Sequence, residues 1–175
     1  MKDKIEKIIQ FHLENKFITK KNVEFVKKII KAIEIINEDI FFHFKFKAAY
    51  NSKHRGAVGD LFENALINSY GNQNKDFNFN ESSDAFLRLQ PEKIDLIDGS
   101  NKLQIKTQSK KWFENSKAIT LLREKPFGNL DNFFKQRITL TVFIIYDYKN
   151  NDTIDIKYFF LSKENLIVFL KIVHN

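Results

Sequence analysis

Apolar residues recur at helical spacing through the first fifty residues, with lysines between them. The spacing predicts two helices, and Thr19 is suited to cap the start of the second. Their apolar positions are Ile5, Ile8, Ile9 and Leu13 in the first helix and Val23, Val26, Ile30 and Ile33 in the second. We therefore expect the chain to begin with a helical segment.

Another helix is predicted directly after Gly56. Its apolar stripe extends to Tyr70, and Gly71 is expected to end it. Two acids, Asp60 and Glu63, lie on the polar edge of this helix. The next segment, 72–83, is rich in asparagine, serine and charged residues, which predicts a loop.

From Lys93 onward the apolar residues alternate with polar ones, which indicates strands. The turn residues 98–101, Asp-Gly-Ser-Asn, separate two such runs and predict a hairpin. A turn centred on Gly99 and Ser100 places Asp95 directly opposite Gln104, so that both side chains lie on one face with Lys106. The apolar residues expected on the other face, in the core, are Ile94, Leu96, Leu103 and Ile105.

Two further strands are predicted over 138–148 and 154–161, joined by a turn around 149–152. Helical or irregular sequence covers 109–136, and Ser162 is suited to cap a last helix that ends near Val173. No Pro- or Gly-rich linker separates these elements. We therefore expect a single domain over 1–175, with an N-terminal helical part (1–52) and a core (53–175) in which helices and sheet pack together.

The composition limits the classes of function. The 175 residues are 43% hydrophobic, which suits one compact domain, and the formal net charge of +7 favours a polyanionic partner such as nucleic acid. Heavy use of Phe, Ile, Lys and Asn also fits an AT-rich genome. Part of the lysine excess then reflects genome composition, so the net charge is weaker evidence for a polyanionic partner. The absence of cysteine excludes disulfides, thiolate metal sites and cysteine nucleophiles.

No segment or motif points to a membrane or to a common cofactor. The apolar runs are shorter than a membrane span, and the N-terminus does not resemble a signal peptide, so a cytoplasmic protein without a membrane partner is expected. Nucleophile-elbow, P-loop and dinucleotide-binding motifs are missing, and the four histidines lack a ligand spacing.

The candidate chemistry lies on the predicted hairpin. Asp95, Gln104 and Lys106 would bring a carboxylate, an amide oxygen and an ammonium together, where a divalent cation and a phosphate can be held side by side. Glu63 on the preceding helix would add a second carboxylate, and Asp60, one turn earlier, competes with it for that role. The plainer interpretation is an ordinary hairpin with one solvated face.

These segments resemble the PD-(D/E)XK nuclease superfamily, which includes many type II restriction endonucleases. The resemblance lies in residues 59–63 (Gly-Asp-Leu-Phe-Glu), in Ile94-Asp95 and in residues 103–106 (Leu-Gln-Ile-Lys), with helix, strand, strand, helix and strand in that order. It implies an α/β (α+β) fold, in which a central mixed sheet flanked by helices forms a restriction-endonuclease-like core. It also implies metal-dependent hydrolysis of phosphodiester bonds in double-stranded DNA.

By the same resemblance, Asp95 is the principal metal ligand and Glu63 the helix carboxylate. Lys106 orients or activates the attacking water, and the backbone carbonyl of Ile105 completes the ligands of Mg²⁺, which Mn²⁺ can replace. Gln104 stands where the family usually has an acid and is the remaining ligand. Pro91 stands four residues before Asp95, whereas the motif proline is normally adjacent.

Basic and polar residues around these motifs are the expected DNA contacts. They are Lys53, His54, Arg55, Gln108, Lys110, Lys111, Arg123 and Lys125. The leading hypothesis is a magnesium-dependent type II restriction endonuclease, with a homodimer as the form that cuts both strands. The alternatives are a catalytically inactive DNA-binding or assembly protein with the same fold, which Gln104 favours, and an interaction domain whose lysines reflect genome composition.

Overall fold

The computed structural model describes residues 2–54, 56–83, 94–116, 137–149 and 153–165. Within these ranges the chain forms five α-helices, two 3₁₀ turns and a four-stranded sheet, which is the predicted α+β class. The helices are α1 (Lys2–Glu14), α2 (Val23–Glu38), α3 (Ile40–Asn51), α4 (Ala57–Gln73) and α5 (Lys110–Ser116), and the 3₁₀ turns are Lys20–Asn22 and Phe79–Ser82. The strands are β1 (Leu96–Asp98), β2 (Asn101–Ser109), β3 (Leu140–Tyr148) and β4 (Ile154–Ser162).

The sheet is mixed, with strand order β1-β2-β3-β4. β1 and β2 form the first predicted hairpin, in which Ile97 faces Lys102 as expected. β3 and β4 form the second antiparallel pair, and the two hairpins join through parallel pairing of β2 with β3. After β4, the N–H of Asn165 donates to the Ser162 hydroxyl at 3.4 Å, which confirms Ser162 as a cap, and the rest of that predicted helix lies outside the described residues.

The first fifty residues form three helices where two were predicted. The chain breaks between α2 and α3 at Asp39, whose carboxylate accepts a hydrogen bond from the Phe41 N–H at 2.9 Å. At the other end of α2, the Thr19 hydroxyl and N–H both donate to the Asn22 side chain, so Thr19 caps a 3₁₀ turn and α2 itself begins at Val23.

Gly71 does not end its helix, because α4 continues to Gln73. The glycine is buried, and a Cβ at this position would lie 2.8 Å from the Phe77 ring and collide with Phe79. Gly71 is therefore required by packing against these two rings. The predicted loop over 72–83 is correspondingly shorter and contains the turn Phe79–Ser82.

One hydrophobic core extends from α1 to β4. It includes Ile9, Ile30, Leu66, Leu103 and Phe160, so the N-terminal helices and the sheet share it. In the described ranges, no helix is long and apolar enough to cross a membrane.

Helix α4 lies close against β2. A Cβ added at Gly59 would be 3.3 Å from the Thr107 hydroxyl oxygen, near the end of β2. At the other end of the helix, the buried Tyr70 hydroxyl donates to the Asp98 carboxylate, beside the start of β2. The helix therefore runs antiparallel to β2 along most of its length.

His12 fastens α1 to the edge of the sheet. Its Nδ1 lies 2.7 Å from the Ile8 carbonyl, and its Nε2 accepts the Phe160 N–H at 3.1 Å. The second bond requires an unprotonated Nε2, so the ring is neutral with the proton on Nδ1. Burial lowers the pKa of His12 below its ordinary value.

This lowered pKa predicts a loss of stability in mild acid. In the unfolded chain His12 takes up a proton at a higher pH than in the folded protein. Its contribution to the stability of the folded state is therefore complete above the pKa of the unfolded chain and is lost as the pH falls below that pKa. We expect the free energy of unfolding, measured by urea denaturation, to fall by about 1 kcal/mol between about pH 7.5 and pH 5.5 because of this group. His12→Gln should weaken that pH dependence, and a variant whose curve equals that of the wild type would contradict the assignment.

Candidate active site

The first hairpin loses its regular pairing at Asp95. Leu96 faces Leu103 in the ladder, and the Leu103 carbonyl also accepts the Asp95 N–H at 2.9 Å. Two residues of one strand facing one residue of the other is the pattern of a β-bulge. The prediction that Asp95 lies directly opposite Gln104 is therefore wrong, because the regular register ends one residue earlier.

The bulge also changes the direction of the preceding residue. Leu96, Leu103 and Ile105 lie in the main core as predicted, but Ile94 belongs to a separate small cluster with Ile97 and Ile138. Strict alternation would have placed Ile94 and Leu96 on the same face. The interruption at Asp95 accounts for the difference.

The Asp95 carboxylate lies at the edge of β2. Its Oδ2 accepts the Ile105 N–H at 2.6 Å, where a regular strand would supply a backbone carbonyl. The N–H and C=O of one strand residue point to the same neighbour, so the Ile105 carbonyl points toward the same edge as the carboxylate. The Asp95 carboxylate and the Ile105 carbonyl thus direct two hard oxygen atoms to one edge of the sheet. Lys106 is the next residue along β2.

Gln104 and Lys106 project from the face of β2 opposite α4. Thr107 contacts α4 at Gly59, and alternation along the strand then directs the side chains of 104 and 106 away from this helix. Lys106 is half-buried, whereas Gln104 is only 7% exposed. The Gln104 amide is therefore packed inside the protein and does not lie on a solvated face.

Glu63 lies on α4 one turn after Gly59 and on the same side of the helix. Four helical residues advance about 6 Å, and two strand residues advance nearly the same distance, so Glu63 is level with Ile105. Glu63 and Lys106 consequently start from opposite faces of β2, with the Asp95 carboxylate at the edge between them. In a site that uses all three groups, the side chains of Glu63 and Lys106 have to extend from the two faces of β2 toward the edge where the Asp95 carboxylate lies.

Asp60 is less well placed than Glu63. It is exposed in the first turn of α4, and a Cβ added at Gly56 would lie 3.7 Å from its Oδ2 and 4.0 Å from His54 Cε1. Asp60 therefore points back over the start of α4 toward His54 and away from Ile105. Of the two acids on α4, Glu63 is therefore the one on the side of the helix that carries Gly59.

The expected DNA contacts differ in their surroundings. Lys53, His54 and Lys111 are exposed. Lys110 is 3.7 Å from Glu114 and 3.5 Å from Asp147, and these acids raise the pKa of Lys110 and offset its charge. Arg55, Arg123 and Lys125 lie outside the described residues.

Gln108 is a buried donor without a protein partner. Its Nε2 is inaccessible to solvent and makes no hydrogen bond within the described part of the chain. Gln108 follows Gln104 and Lys106 along the same face of β2. A buried amide of this kind costs free energy unless a ligand or a water molecule accepts its hydrogen bond.

Sequence reasoning did not find the cluster that holds α2 and α4 to the first hairpin. Asp98 accepts the Tyr70 hydroxyl and lies 3.6 Å from Lys28 Nζ. Burial, followed by the bond to Asp98, raises the pKa of the Tyr70 hydroxyl, which therefore stays protonated as the donor. Asp98 was recognisable only as a turn residue, because its two partners are distant in sequence.

Comparisons with known protein families, curated proteins and solved structures give no match. Within the described ranges, no group of three or more His, Cys, Asp and Glu residues is placed to hold a metal ion. The candidate ligand set contains only two such residues, Glu63 and Asp95, with an amide and a backbone carbonyl. Any function assigned to it rests on the geometry of this chain.

The unpaired Gln108 amide predicts an unusual gain in stability. Gln108→Leu should raise the free energy of unfolding by about 1 kcal/mol, because it removes a buried polar group that has no partner. Gln10→Leu, at an exposed position of α1, is the matched control and should change stability little. A loss of stability in Gln108→Leu, measured by urea denaturation, would show that the amide is satisfied in solution.

Proposed function

We propose that the chain is a metal-dependent DNA endonuclease, of the type II restriction class, which hydrolyses phosphodiester bonds of double-stranded DNA in the cytoplasm. The observation that carries the proposal is the placement of the Asp95 carboxylate on the Ile105 N–H at an irregular strand end. This bond fixes an acid beside a backbone carbonyl and next to a lysine. The resemblance to the PD-(D/E)XK superfamily assigns these groups to the principal metal ligand, the backbone ligand and the lysine, whereas Gln104 stands in place of the usual second acid.

The donor set suits magnesium. Mg²⁺ prefers oxygen ligands and retains several waters, so the Asp95 carboxylate, the Ile105 carbonyl and the Glu63 carboxylate would be sufficient protein ligands. Gln104, packed and uncharged, is the weakest member of the predicted set. A bound divalent ion would polarise the phosphate and supply an activated water.

The residues of the chain have complementary tasks. Lys106 would place its ammonium against a phosphate oxygen and offset the negative charge that develops during hydrolysis. The Ile105 N–H holds Asp95 through a charge-assisted hydrogen bond, which fixes the carboxylate before substrate arrives. The net charge of +7 would attract the DNA backbone toward this edge.

A catalytically inactive DNA-binding protein is the second candidate. The burial of Gln104 favours it, because a neutral amide that is only 7% exposed adds little to the binding of a cation. Such a protein would bind DNA through the exposed lysines and leave it intact. Both candidates predict salt-sensitive DNA binding, and cleavage separates them.

The decisive experiment is incubation of supercoiled plasmid with the purified protein and Mg²⁺ or Mn²⁺. We expect discrete fragments that are abolished by EDTA. Asp95→Asn and Lys106→Met should each lower the cleavage rate by about 10²-fold or more, and Glu63→Gln should also lower it. The amide oxygen of Asp95→Asn can still accept the Ile105 N–H, so this variant tests the charge with the fold intact.

Matched controls lie on β4. Asp155→Asn and Lys157→Met make the same changes at exposed positions of the same sheet and should cleave as the wild type does. Cleavage that survives in the Asp95 and Lys106 variants would refute the assignment of the site. Salt-sensitive binding by the wild type without cleavage in either metal would establish the second candidate.

A further inference from the structure

Strand β4 forms one edge of the described sheet, and this edge is only partly covered. The Phe160 N–H points away from β3, because it donates to His12 Nε2 at 3.1 Å. Alternation along an antiparallel strand then directs the N–H and C=O of Ile156 and Tyr158 to the same outer edge. Within the described ranges, these outward backbone groups of Ile156 and Tyr158 have no hydrogen-bond partner.

A groove lies along this open part of the edge. It has a volume of about 560 Å³, and residues 155–159 of β4 line one side of it. The volume lies within the range of ligand-binding sites. Helices α1 and α2 supply the other lining residues, which include Lys7, Ile8, Phe11, Ile33 and Glu34.

Helix α1 lies beyond the edge of β4, in the plane of the sheet. A strand N–H lies close to that plane, so His12, which accepts the Phe160 N–H, has to lie there too. Ile8, one turn earlier on α1, lines the groove. An isolated extended segment can therefore enter between α1 and β4, whereas the edge of another folded sheet would meet the helix.

The open edge offers donors and acceptors at the spacing of a strand. Ile156 and Tyr158 each direct one N–H and one C=O outward, and two strand residues advance about 7 Å. An extended peptide presents acceptors and donors at the same spacing, so it can add to β4 as a further strand. The phosphate oxygens of nucleic acid can only accept hydrogen bonds and would leave the outward carbonyls without a donor. The edge therefore favours a polypeptide.

The charges along the groove favour an acidic partner. The charged residues that border it are Lys4, Lys7, Lys157, Glu34 and Asp155. Glu34 is already paired with Lys4 at 2.8 Å, which offsets both charges. Lys7 and Lys157 are exposed and form no ion pair within the described part of the chain. They leave an excess of positive charge on both sides of the groove, on α1 and on β4.

We propose that the groove between α1 and the edge of β4 binds an extended acidic segment of a partner protein, which pairs with β4 as an added strand. The side chains of such a strand alternate between the two faces of the sheet. On the face toward the core, apolar side chains would pack beside Ile8 and Ile33. On the other face, acidic side chains would lie beside Lys157. The proposal concerns a partner and goes beyond the proposed nuclease activity.

The test is the binding of a fluorescent octapeptide to the full chain, measured by fluorescence anisotropy without DNA or metal. The probe alternates glutamate with valine, and the matched control peptide alternates lysine with valine. We expect saturable binding of the acidic peptide, with a dissociation constant about tenfold or more below that of the basic peptide.

Methylated peptides test whether the backbone of the probe pairs with β4. One peptide carries methyl groups on the backbone nitrogens of its valines, and another carries them on those of its glutamates. Only alternate residues of a strand direct their N–H groups to a given neighbour, so one of these peptides should lose binding and the other should retain it. The charges and side chains are the same in both.

Variants of the chain test the edge and the charge separately. The N–H groups of residues 155 and 157 point to β3, so Ile156→Pro removes only an outward N–H, and Ile156→Ala is the control that shortens the side chain but keeps this donor. We expect Ile156→Pro to bind the acidic peptide about tenfold more weakly than Ile156→Ala. Lys7→Glu should also weaken binding, and Lys45→Glu, on α3, should not. Far-ultraviolet circular dichroism confirms that each variant is folded.

Four outcomes would overturn the proposal. They are the absence of saturable binding by the wild type, equal binding of the acidic and basic peptides, binding that neither methylated peptide loses, and equal binding by Ile156→Pro and Ile156→Ala. A wild type that sediments as a dimer, and that Ile156→Pro converts to a monomer, would overturn it in favour of a second copy on this edge. Because no cleavage is measured, the result does not depend on the activity of the candidate active site.

Discussion

The close contact between α4 and β2 determines where every candidate functional group lies. Gly59 allows the helix to approach Thr107, and the bond from Tyr70 to Asp98 fixes the opposite end. Between these two points the helix has little freedom to rotate, because Phe62 and Leu66 are buried in the core. Glu63 is consequently held beside β2 at the level of Ile105, and the only acid of the first helical turn, Asp60, is directed elsewhere.

The bulge at Asp95 converts a strand end into a chemically distinct edge. A regular ladder would use the Ile105 N–H for a backbone bond and would leave the aspartate as one more side chain on a face. Here the carboxylate itself accepts that N–H, so it lies in the plane of the sheet beside a backbone carbonyl. The position of the acid is therefore fixed by the backbone, and the proposal of a metal-dependent hydrolase rests on this fixed carboxylate.

Much of the fold could be predicted, because its signals are local. Alternation and the turn at Gly99 determine the first hairpin, and Ser162 caps the last described residues as its type suggests. The bulge could not be predicted, since it depends on a side chain meeting a backbone N–H ten residues away. Gly71 was wrongly predicted to end the helix, because glycine often ends helices but also permits close packing. Only the contact with the rings of Phe77 and Phe79 shows that packing is its role here. Alternation likewise indicated which face Gln104 occupies but not that this face is covered.

The parallel pairing of β2 with β3 has a consequence for the route by which the chain folds. The strands of each hairpin are close together in sequence. Leu103 and Leu140 are separated by a long segment, so the chain has to close a large loop before they can pair. Closing such a segment costs entropy before any contact compensates for it, so this junction is expected to form more slowly than either hairpin. Trp112, the only tryptophan in the sequence, follows β2 directly. The fluorescence of this single indole is therefore suited to report when the two halves of the sheet join.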